Sequence, residues 1–407
     1  MKKILTAFCL LFSPLIYAQC NSATLNQYIV QAHTTDNNIP LETGANYAWF
    51  NPGCTPKHLL LLHLVGSYDY PYSTTYFPKL AANNGFNVIN LRYPNDTSAQ
   101  QACRWSADTS CYENFRREIL EGIDYSPDIA VDTTNCLYHR LIRLLQFLDA
   151  AHPAEGWGNF YSGNSINWPM IVVSGHSQGG GHAALIAKDH PVHGVLMFAS
   201  PNDYSAYYND AAAWTRLPHV TPDSAYYAFG NLYDDVVDFP EQYLQWSNLG
   251  LGVFGDTVHV GASYCPYNYS HQLYTTDTAS GFGAEHSLPV RDNVTPLDSA
   301  GNPVYRPVWE YMLRLSCTPL AAAAVAPEKA MSIFPNPASD HLTITSGNSK
   351  QVSSVVVFDA MGQELLRIEN INTNQLSLSL EGFVPGLYVV SVTGPEQRPV
   401  FQKLLVQ

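Results

Sequence analysis

A nucleophile turn is the clearest chemical pattern in this chain. The residues GHSQG at 175–179 follow an apolar run, Pro169–Ser174, and open a segment of small residues, Gln178–Lys188. A serine in a tight turn between a strand and a helix is held clear of the sheet, and the N-terminus of the helix favours developing negative charge. The pattern therefore predicts that Ser177 is a nucleophile. The competing interpretation is a glycine-rich packing turn.

A serine nucleophile needs a base, and the base needs an acid that orients it. For a serine on such a turn, the acid and the histidine are expected later in the chain, in that order. Asp234, which follows the apolar run Ala225–Gly230, fits the acid best. Its neighbour Asp235 and the earlier Asp203 remain open as alternatives. Each of the three could instead be a turn aspartate that accepts backbone hydrogen bonds.

The histidine should lie on a later loop, before the last helix. His286 lies on a polar stretch that precedes Pro307–Leu315, which is a candidate closing helix. His271 is the alternative and lies nearer to the candidate strand Thr257–Val260. The sequence therefore favours His286 as the base and leaves His271 open.

The tetrahedral oxyanion of acyl transfer needs two backbone N–H donors. One donor is expected from the residue after the nucleophile, which is Gln178. The second should come from the loop LVGSY at 64–68, where Gly66 permits the turn. We expect Ser67 to supply this second donor, with Val65 as the alternative.

Alternating strand and helix signals describe the elements that must position these residues. Val131–Ala150 has leucines at helical spacing, and Gln178–Lys188 is also helix-forming. The pattern predicts an α/β domain with an open, mostly parallel sheet flanked by helices, and ligands in such sheets bind at the carboxyl ends of the strands. The expected strands are His58–Leu64, Phe86–Leu91, Pro169–Ser174, His193–Ala199, Ala225–Gly230 and Thr257–Val260.

Composition excludes two broad classes of protein. The 407 residues are 46% hydrophobic and only 13% charged, which is enough apolar matter for a core and excludes a mostly disordered chain. The formal net charge is −14. An acidic chain lacks the clustered Lys and Arg that neutralise phosphates, so we expect no nucleic-acid partner.

The N-terminus has the pattern of a secretory signal peptide. Residues 1–18 combine two lysines, an apolar run and a terminal small residue, and the run is too short to span a membrane. We therefore expect no transmembrane segment. A composition shift at 318–330 indicates a linker, so the predicted organisation is signal peptide 1–18, catalytic domain 19–317, linker 318–330 and a C-terminal domain 331–407.

Seven cysteines remain after removal of the signal peptide, and an exported protein favours disulfides. Cys103 and Cys111 are close together in a polar loop and are expected to pair. Cys20 with Cys54 is a second expected pair. An odd number leaves at least one thiol unpaired within the chain. No cysteine or histidine spacing indicates a zinc site, and we predict no metal.

The strand, nucleophile turn and helix, followed in order by the aspartate and the histidine, resemble the α/β-hydrolase superfamily over residues 58–315. Three segments are similar to a group of secreted bacterial serine hydrolase-like proteins: GHSQGGGHAA at 175–184, ASPND at 199–203 and the ending that starts at Ala284. The resemblance implies an α/β-hydrolase fold and a serine hydrolase site. It implies no settled substrate.

The last 77 residues resemble something else. FPNP at 334–337, DAMG at 359–362, VPGLY at 384–388 and KLLV at 403–406 are similar to the C-terminal sorting domain of the type IX secretion system. The short alternating strands and glycine and proline turns predict a small all-β sandwich. The resemblance implies export past the outer membrane, followed by release or surface attachment, with the secretion machinery as a partner.

These features predict a secreted serine hydrolase that acts on carboxylic esters through Ser177, His286 and Asp234. The triad by itself does not separate esterases from peptidases or amidases, which are the first alternative. The second alternative is a surface-displayed binding protein without catalysis. No organic cofactor is expected, and the acyl substrate is not identified.

Overall fold

A computed structural model describes Cys20 and residues 24–39, 44–315, 331–346, 351–359, 364–393 and 400–407. The predicted signal peptide 1–18 and linker 318–330 lie outside the described residues. The chain divides into two compact units, an N-terminal unit Met1–Cys317 and a C-terminal unit Thr318–Gln407. Within the described residues, no helix combines the length and the apolar character that a bilayer crossing demands.

Nine strands of the N-terminal unit form one sheet in the order β1-β2-β4-β3-β7-β8-β11-β13-β12. Two further pairs, β5 with β6 and β9 with β10, form small separate hairpins. In chain order the strands are β1 (Asn26–Gln31), β2 (Ala45–Phe50), β3 (Leu60–Leu64), β4 (Asn87–Leu91), β5 (Tyr161–Ser162), β6 (Ser165–Ile166), β7 (Ile171–His176), β8 (Gly194–Phe198), β9 (Tyr204–Ser205), β10 (Asp210–Ala211), β11 (Tyr226–Asn231), β12 (Val258–His259) and β13 (Gln272–Thr275).

The strand directions correct the fold class expected from the sequence. Strands β1, β2 and β4 pair antiparallel, whereas the pairs from β4 through β3, β7, β8, β11 and β13 to β12 are parallel. The described residues are therefore sheet-rich with mixed and antiparallel sheets. The α/β-hydrolase fold predicted from the sequence is therefore wrong for this chain, whose main sheet is mixed and whose C-terminal sheets are antiparallel.

The prediction of the fold class failed because an apolar run shows that a strand is buried but not in which direction it runs. A continuous run identifies a strand that is buried on both faces, and all six predicted strands overlap observed ones. An edge strand such as β1 has an alternating burial pattern and no such run. Neither pattern contains the direction in which the chain crosses the sheet, because direction is set by the connections.

Helices pack on the sheet through two apolar clusters. The first cluster contains Leu62, Val173 and Leu185 together with residues of α4 and α5. The second contains Leu61 and Phe198 together with residues of α2 and α9, among them Trp309. The sheet lies between them. The α-helices are α1 (Ala32–Thr35), α2 (Tyr76–Ala82), α3 (Ala99–Cys103), α4 (Cys111–Glu121), α5 (Leu137–Ala151), α6 (Gln178–Asp189), α7 (Phe239–Asn248), α8 (Ala284–Ser287) and α9 (Arg306–Met312).

Helix α6 approaches the ends of β3 and β7 so closely that only glycine fits there. A Cβ on Gly179 would lie 2.1 Å from the carbonyl oxygen of Leu64, and a Cβ on Gly175 would lie 2.2 Å from the carbonyl carbon of Gly179. Both obstacles are backbone atoms, which cannot move aside as a side chain can. The start of α6 is therefore seated against the carboxyl ends of the two central strands.

Two of the expected disulfides are formed. Cys103 pairs with Cys111 across the loop between α3 and α4, and Cys20 pairs with Cys54. Cys265 is also disulfide-bonded. Among the described residues, Cys136 is a free thiol, and it is buried.

Two antiparallel sheets that share one apolar cluster form the C-terminal unit. One sheet has the order β14-β15-β18 and the other β17-β16-β19-β20. Leu342 and Leu378 of the first sheet belong to the same cluster as Val357 and Leu404 of the second. The strands are β14 (Met331–Phe334), β15 (His341–Ser346), β16 (Val352–Phe358), β17 (Glu364–Thr373), β18 (Gln375–Ser379), β19 (Gly386–Thr393) and β20 (Val400–Val406).

The sequence motifs of this unit make specific backbone contacts. Asn336 of the FPNP motif accepts a hydrogen bond from the backbone N–H of Leu405 at 2.9 Å. The Tyr388 hydroxyl of the VPGLY motif donates to the carbonyl oxygen of Val384 at 2.7 Å. Residues 360–363, which contain most of the DAMG motif, lie outside the described residues. The motif residues thus hold turns and the final strand in register.

We expect Gly179→Ala to lower the stability of the N-terminal unit sharply, because the new Cβ would overlap the backbone of Leu64. Overpacking costs about 1–3 kcal/mol and occasionally more, which lowers the melting temperature by roughly 3–10 °C. Gly194→Ala is the matched control, since its Cβ would meet Val172 at an ordinary 3.6 Å. Differential scanning calorimetry compares them. Equal melting temperatures for both variants would contradict the close approach.

A second prediction concerns His271, which is stacked between Tyr227 and Phe254 with ring centroids 4.0 Å away on each side. Burial lowers its pKa to about 4, against an opposing backbone hydrogen bond at Tyr226 and a further lowering by the charge of Arg314. An unfolded histidine has a pKa of about 6.5. Between these pH values the native state therefore binds fewer protons than the unfolded state. The contribution of His271 makes the free energy of unfolding fall as the pH is lowered from about 6.5 to about 4.

His271→Phe keeps the stacking and removes this titration. We expect the free energy of unfolding to fall less between pH 7 and pH 4.5 than in the wild type, by on the order of 2 kcal/mol. Urea unfolding at the two pH values measures the free energy of unfolding of each protein. The titrations of the other buried histidines cancel in the comparison, because both proteins contain them. An unchanged pH dependence would show that His271 is not neutralised by burial.

Candidate active site

Ser177 lies at the junction of β7 and α6, with a backbone φ of 53° and ψ of −123°. This conformation is strained for a residue with a Cβ, and such strain concentrates at functional sites. The backbone N–H of Ser177 donates to the carbonyl oxygen of Phe198 at 2.9 Å, which holds the turn against the end of β8. The serine is therefore presented at the carboxyl edge of the central strands.

Asp234 and His286 meet although 52 residues separate them in the chain. His286 Nδ1 lies 2.7 Å from Asp234 Oδ2, and both side chains are buried. Because a carboxylate accepts, Nδ1 carries the proton and donates it, and Nε2 is left as an acceptor. The contact sets the tautomer that a general base requires.

The Asp234 carboxylate is also held from its other sides. Oδ1 accepts from the backbone N–H groups of Val236 and Val237, each at 2.9 Å, and Oδ2 accepts from Gln242 Nε2 at 2.7 Å. Four donors satisfy this buried acid and leave it one orientation. The direction of the His286 ring is fixed in turn.

Asp235 supports the backbone of His286 and not its ring. Its Oδ2 accepts from the N–H of Gly283 at 2.6 Å, and its Oδ1 accepts from the N–H of His286 at 3.4 Å. The His176 ring supports the same residue, with Nε2 donating to the carbonyl oxygen of His286 at 3.1 Å. The neighbouring carboxylate thus holds the start of α8, where the base is located.

The His286 ring lies beside the nucleophile turn. Its centroid is 4.9 Å from that of His176, the residue directly before Ser177. Within the described part of the chain, His286 Nε2 is buried and has no hydrogen-bond partner. No hydrogen bond therefore joins it to the serine in this structure. Catalytic hydrogen bonds are often long in unliganded enzymes and shorten when substrate binds.

His176 is a neutral residue at this position. Burial lowers its pKa well below the ordinary value, and the nearby His286 lowers it further. Since Nε2 donates to the backbone, Nδ1 is an acceptor, and a Cβ built on Gly66 would lie 3.3 Å from Nδ1 and 3.1 Å from the Cβ of Ser177. The close approach of the Gly66 loop to the turn thus depends on the missing side chain.

The two residues predicted to donate to an oxyanion are in contact. Ser67 Oγ donates to Gln178 Oε1 at 3.0 Å, and the same oxygen accepts from the backbone N–H of Ala99 at 2.8 Å. Gln178 is the first residue of α6, so its own backbone N–H has no acceptor within the helix. The structure thus brings the Ser67 loop and the start of α6 to one place.

Asn202 contacts the candidate nucleophile Ser177, which the sequence did not reveal. Its Nδ2 donates to Ser177 Oγ at 3.0 Å, and the residue is buried. The only available signal was its position just after β8, at the sheet edge where Ser177 also lies. In the sequence, the carboxylate of the adjacent Asp203 was the more obvious candidate.

The alternatives considered in the sequence have other contacts. The buried carboxylate of Asp203 pairs with Arg116 and accepts from Trp214 Nε1 at 2.7 Å. His271 is stacked between two aromatic rings, and the carbonyl oxygen of Val65 accepts from the Tyr93 hydroxyl at 2.6 Å. Among the three aspartates considered, Asp234 is the one whose carboxylate contacts the His286 ring.

In the part of the chain that the structure describes, no group of three close potential metal ligands includes Ser177, Asp234 or His286. Within the described residues, the group of three close potential ligands is Cys103, Cys111 and Asp128, and its two cysteines form a disulfide. A cleft of about 130 Å³ is lined by Lys57, His193 and Arg314 among others, but it contains no residue of the serine site. Its strand residue Gly194 is at the amino end of β8, opposite the edge where Ser177 lies.

Comparisons with known proteins identify the C-terminal part of the chain. Residues 332–407 match the family described as the secretion system C-terminal sorting domain. This match covers the C-terminal unit. The α/β-hydrolase superfamily expected from the sequence is not shown by any family match.

Two curated relatives are similar over short lengths. Beta-agarase A of Zobellia galactanivorans is 31% identical over 70 residues, which are 17% of this chain and 13% of the relative. The endo-acting ulvan lyase of Formosa agariphila is 29% identical over 142 residues, which are 35% of this chain and 26% of the relative. The chain therefore spans 13% of the length of the first protein and 26% of the length of the second.

A solved structure is also similar in part. It is a DUF3244 family protein with an immunoglobulin-like β-sandwich fold from Bacteroides vulgatus, 14% identical, matching 19% of this chain and 85% of that chain with a TM-score of 0.17. The family match is the informative comparison. Residues 332–407 are a type IX secretion C-terminal sorting domain, and the protein is exported, to be secreted or attached to the cell surface.

Proposed function

We propose that this protein is an exported serine hydrolase that cleaves acyl substrates, with carboxylic esters as the preferred class. The observation that carries the proposal is the contact of His286 Nδ1 with the buried Asp234 carboxylate at 2.7 Å, beside the strained turn of Ser177. A packing role needs neither an imidazole with a fixed tautomer nor a serine at positive φ. Both features are useful for nucleophilic catalysis.

In the proposed reaction, Ser177 Oγ attacks the acyl carbon while its proton moves to His286 Nε2. Asp234 stabilises the imidazolium cation that forms, without taking the proton itself. The carbonyl electron pair moves onto the carbonyl oxygen, which the backbone N–H groups of Gln178 and Ser67 stabilise. His286 returns the proton to the leaving alcohol, and water repeats the cycle on the acyl-enzyme.

Export agrees with this proposal. The sorting domain directs the chain out of the cell, where an extracellular polymer or its fragments are accessible to it. Both curated relatives are named as enzymes, a beta-agarase and an endo-acting ulvan lyase. An acyl group on an external polymer or metabolite is therefore the substrate class with which to begin.

The test is covalent labelling with a fluorophosphonate, which reacts with an activated serine. We expect the wild type to be labelled and Ser177→Ala to remain unlabelled. His286→Ala should lower the labelling rate by at least about 10³-fold, because the base is lost. His271→Phe, whose ring lies elsewhere, should label at the wild-type rate. A wild type without label, or a loss in His271→Phe instead of His286→Ala, would overturn the proposal.

Substrate class is decided by a second measurement on the same proteins. We expect p-nitrophenyl esters to be hydrolysed faster than peptide p-nitroanilides, with both activities absent in Ser177→Ala. The reverse preference would make the protein an amidase or peptidase. Labelling without turnover of either panel would leave the reactive serine in place but contradict the ester preference.

A further inference from the structure

One side chain at the reacting oxygen has no role in the reaction described so far. Asn202 Nδ2 donates to Ser177 Oγ at 3.0 Å, so the oxygen that must become a nucleophile accepts an amide hydrogen bond in the resting protein. An amide nitrogen is a donor only, and it has no charge that depends on pH. The contact is therefore present in every protonation state of the site.

The loop that carries Asn202 is held from several elements. The backbone N–H of Asp203 donates to Gln245 Oε1 at 2.9 Å, and the carbonyl oxygen of Ser200 accepts from Trp246 Nε1 at 2.7 Å. Gln245 and Trp246 both belong to α7 and are buried. Residues on both sides of the amide are thus fixed by α7, the helix that also carries Gln242, a donor to the Asp234 carboxylate. Donors placed in advance cost no reorganisation when charge develops.

A buried arginine connects this loop to the nucleophile helix. Arg116 Nε donates to the Asp203 carboxylate at 2.7 Å, and its Nη1 donates to the carbonyl oxygen of Gln178 at 2.8 Å. A Cβ on Gly181 of α6 would overlap the same guanidinium. Arg116 therefore holds the Asn202 loop and the start of α6 in a fixed relative position. These hydrogen bonds help to set the distance between the Asn202 amide and Ser177.

The strength of the hydrogen bond from the Asn202 amide to Ser177 Oγ changes during the reaction. Hydrogen bonds to an ionised oxygen are about twice as strong as those to a neutral one. As the proton leaves Ser177 Oγ for His286 Nε2, negative charge grows on the oxygen that Asn202 contacts. The interaction is then stronger in the transition state than in the resting state, which is the condition for an effect on rate.

We propose that Asn202 is a catalytic residue, whose side-chain amide stabilises the charge that develops on Ser177 Oγ during attack. The Oγ–H bond breaks and its proton goes to His286 Nε2, while an oxygen electron pair forms the bond to the acyl carbon. No oxidant or further reactant is needed. The assignment rests on the proposed serine hydrolase function and adds to it a donor that is separate from the oxyanion pair.

Asn202→Ala removes the donor, and Asn202→Asp replaces it with a carboxylate of the same shape that repels the growing charge. Asn248→Ala is the matched control, since Asn248 Nδ2 also donates to a hydroxyl, Thr215 Oγ1, at 3.0 Å. For each variant we would measure the rate constant of fluorophosphonate labelling, kcat and KM with p-nitrophenyl acetate, and the melting temperature.

We expect Asn202→Ala to label about tenfold to a hundredfold more slowly than the wild type, which is the range for loss of a hydrogen bond to a charged group. Asn202→Asp should be slower still. In both variants the fall should appear in kcat with KM nearly unchanged, and the melting temperature should stay close to that of Asn248→Ala.

Three results would overturn the assignment while leaving the proposed function intact. They are labelling of Asn202→Ala within about twofold of the wild type, labelling of Asn202→Asp as fast as that of Asn202→Ala, and a loss of rate explained by a melting temperature far below that of the control. A wild type that does not label overturns the proposed function, and this assignment with it.

Discussion

The hydrogen bond from His286 to Asp234 is the interaction on which the arrangement of this site depends. It joins two buried groups, so neither can be satisfied by water, and each would be costly to leave unpaired. Because the carboxylate also accepts from two backbone N–H groups and from Gln242, it cannot turn away. The imidazole is left with one tautomer and one orientation.

Three members of the site follow the ends of neighbouring strands. Ser177 follows β7, Asn202 follows β8 and Asp234 follows β11, which are neighbours in the sheet. Parallel neighbours end at the same edge, so loops that are distant in the chain become adjacent. The glycines at the start of α6 allow the helix to sit directly on this edge. The geometry of the site is therefore a consequence of strand order and close backbone packing.

The candidate active site and the sorting domain belong to different units. The C-terminal unit is two antiparallel sheets around a shared apolar cluster, and its motif residues Asn336 and Tyr388 hold turns and the last strand. These two side chains bind backbone groups and so serve backbone geometry. The candidate active site lies wholly within the N-terminal unit, whose residues Asp234 and His286 supply the titratable groups.

Local patterns were sufficient for some predictions and insufficient for others. The nucleophile turn is visible because its glycines and its serine are adjacent in the chain, and the buried strands are visible as apolar runs. The edge strand β1 alternates instead, and strand direction leaves no mark on such patterns, which is why the predicted fold class failed. Asn202 was missed because a loop asparagine has no distinguishing neighbour in the sequence.

What the sequence by itself determined is the set of features encoded by residues close together in the chain: the turn at Ser177, the sorting-domain motifs and the Cys103–Cys111 disulfide. The tertiary structure alone decided that Asp234 and not Asp203 meets His286, and that Asn202 reaches Ser177. Those contacts join residues 52 and 25 positions apart. They depend on strand order and on the direction of each side chain at the sheet edge, and both are properties of the packed chain as a whole.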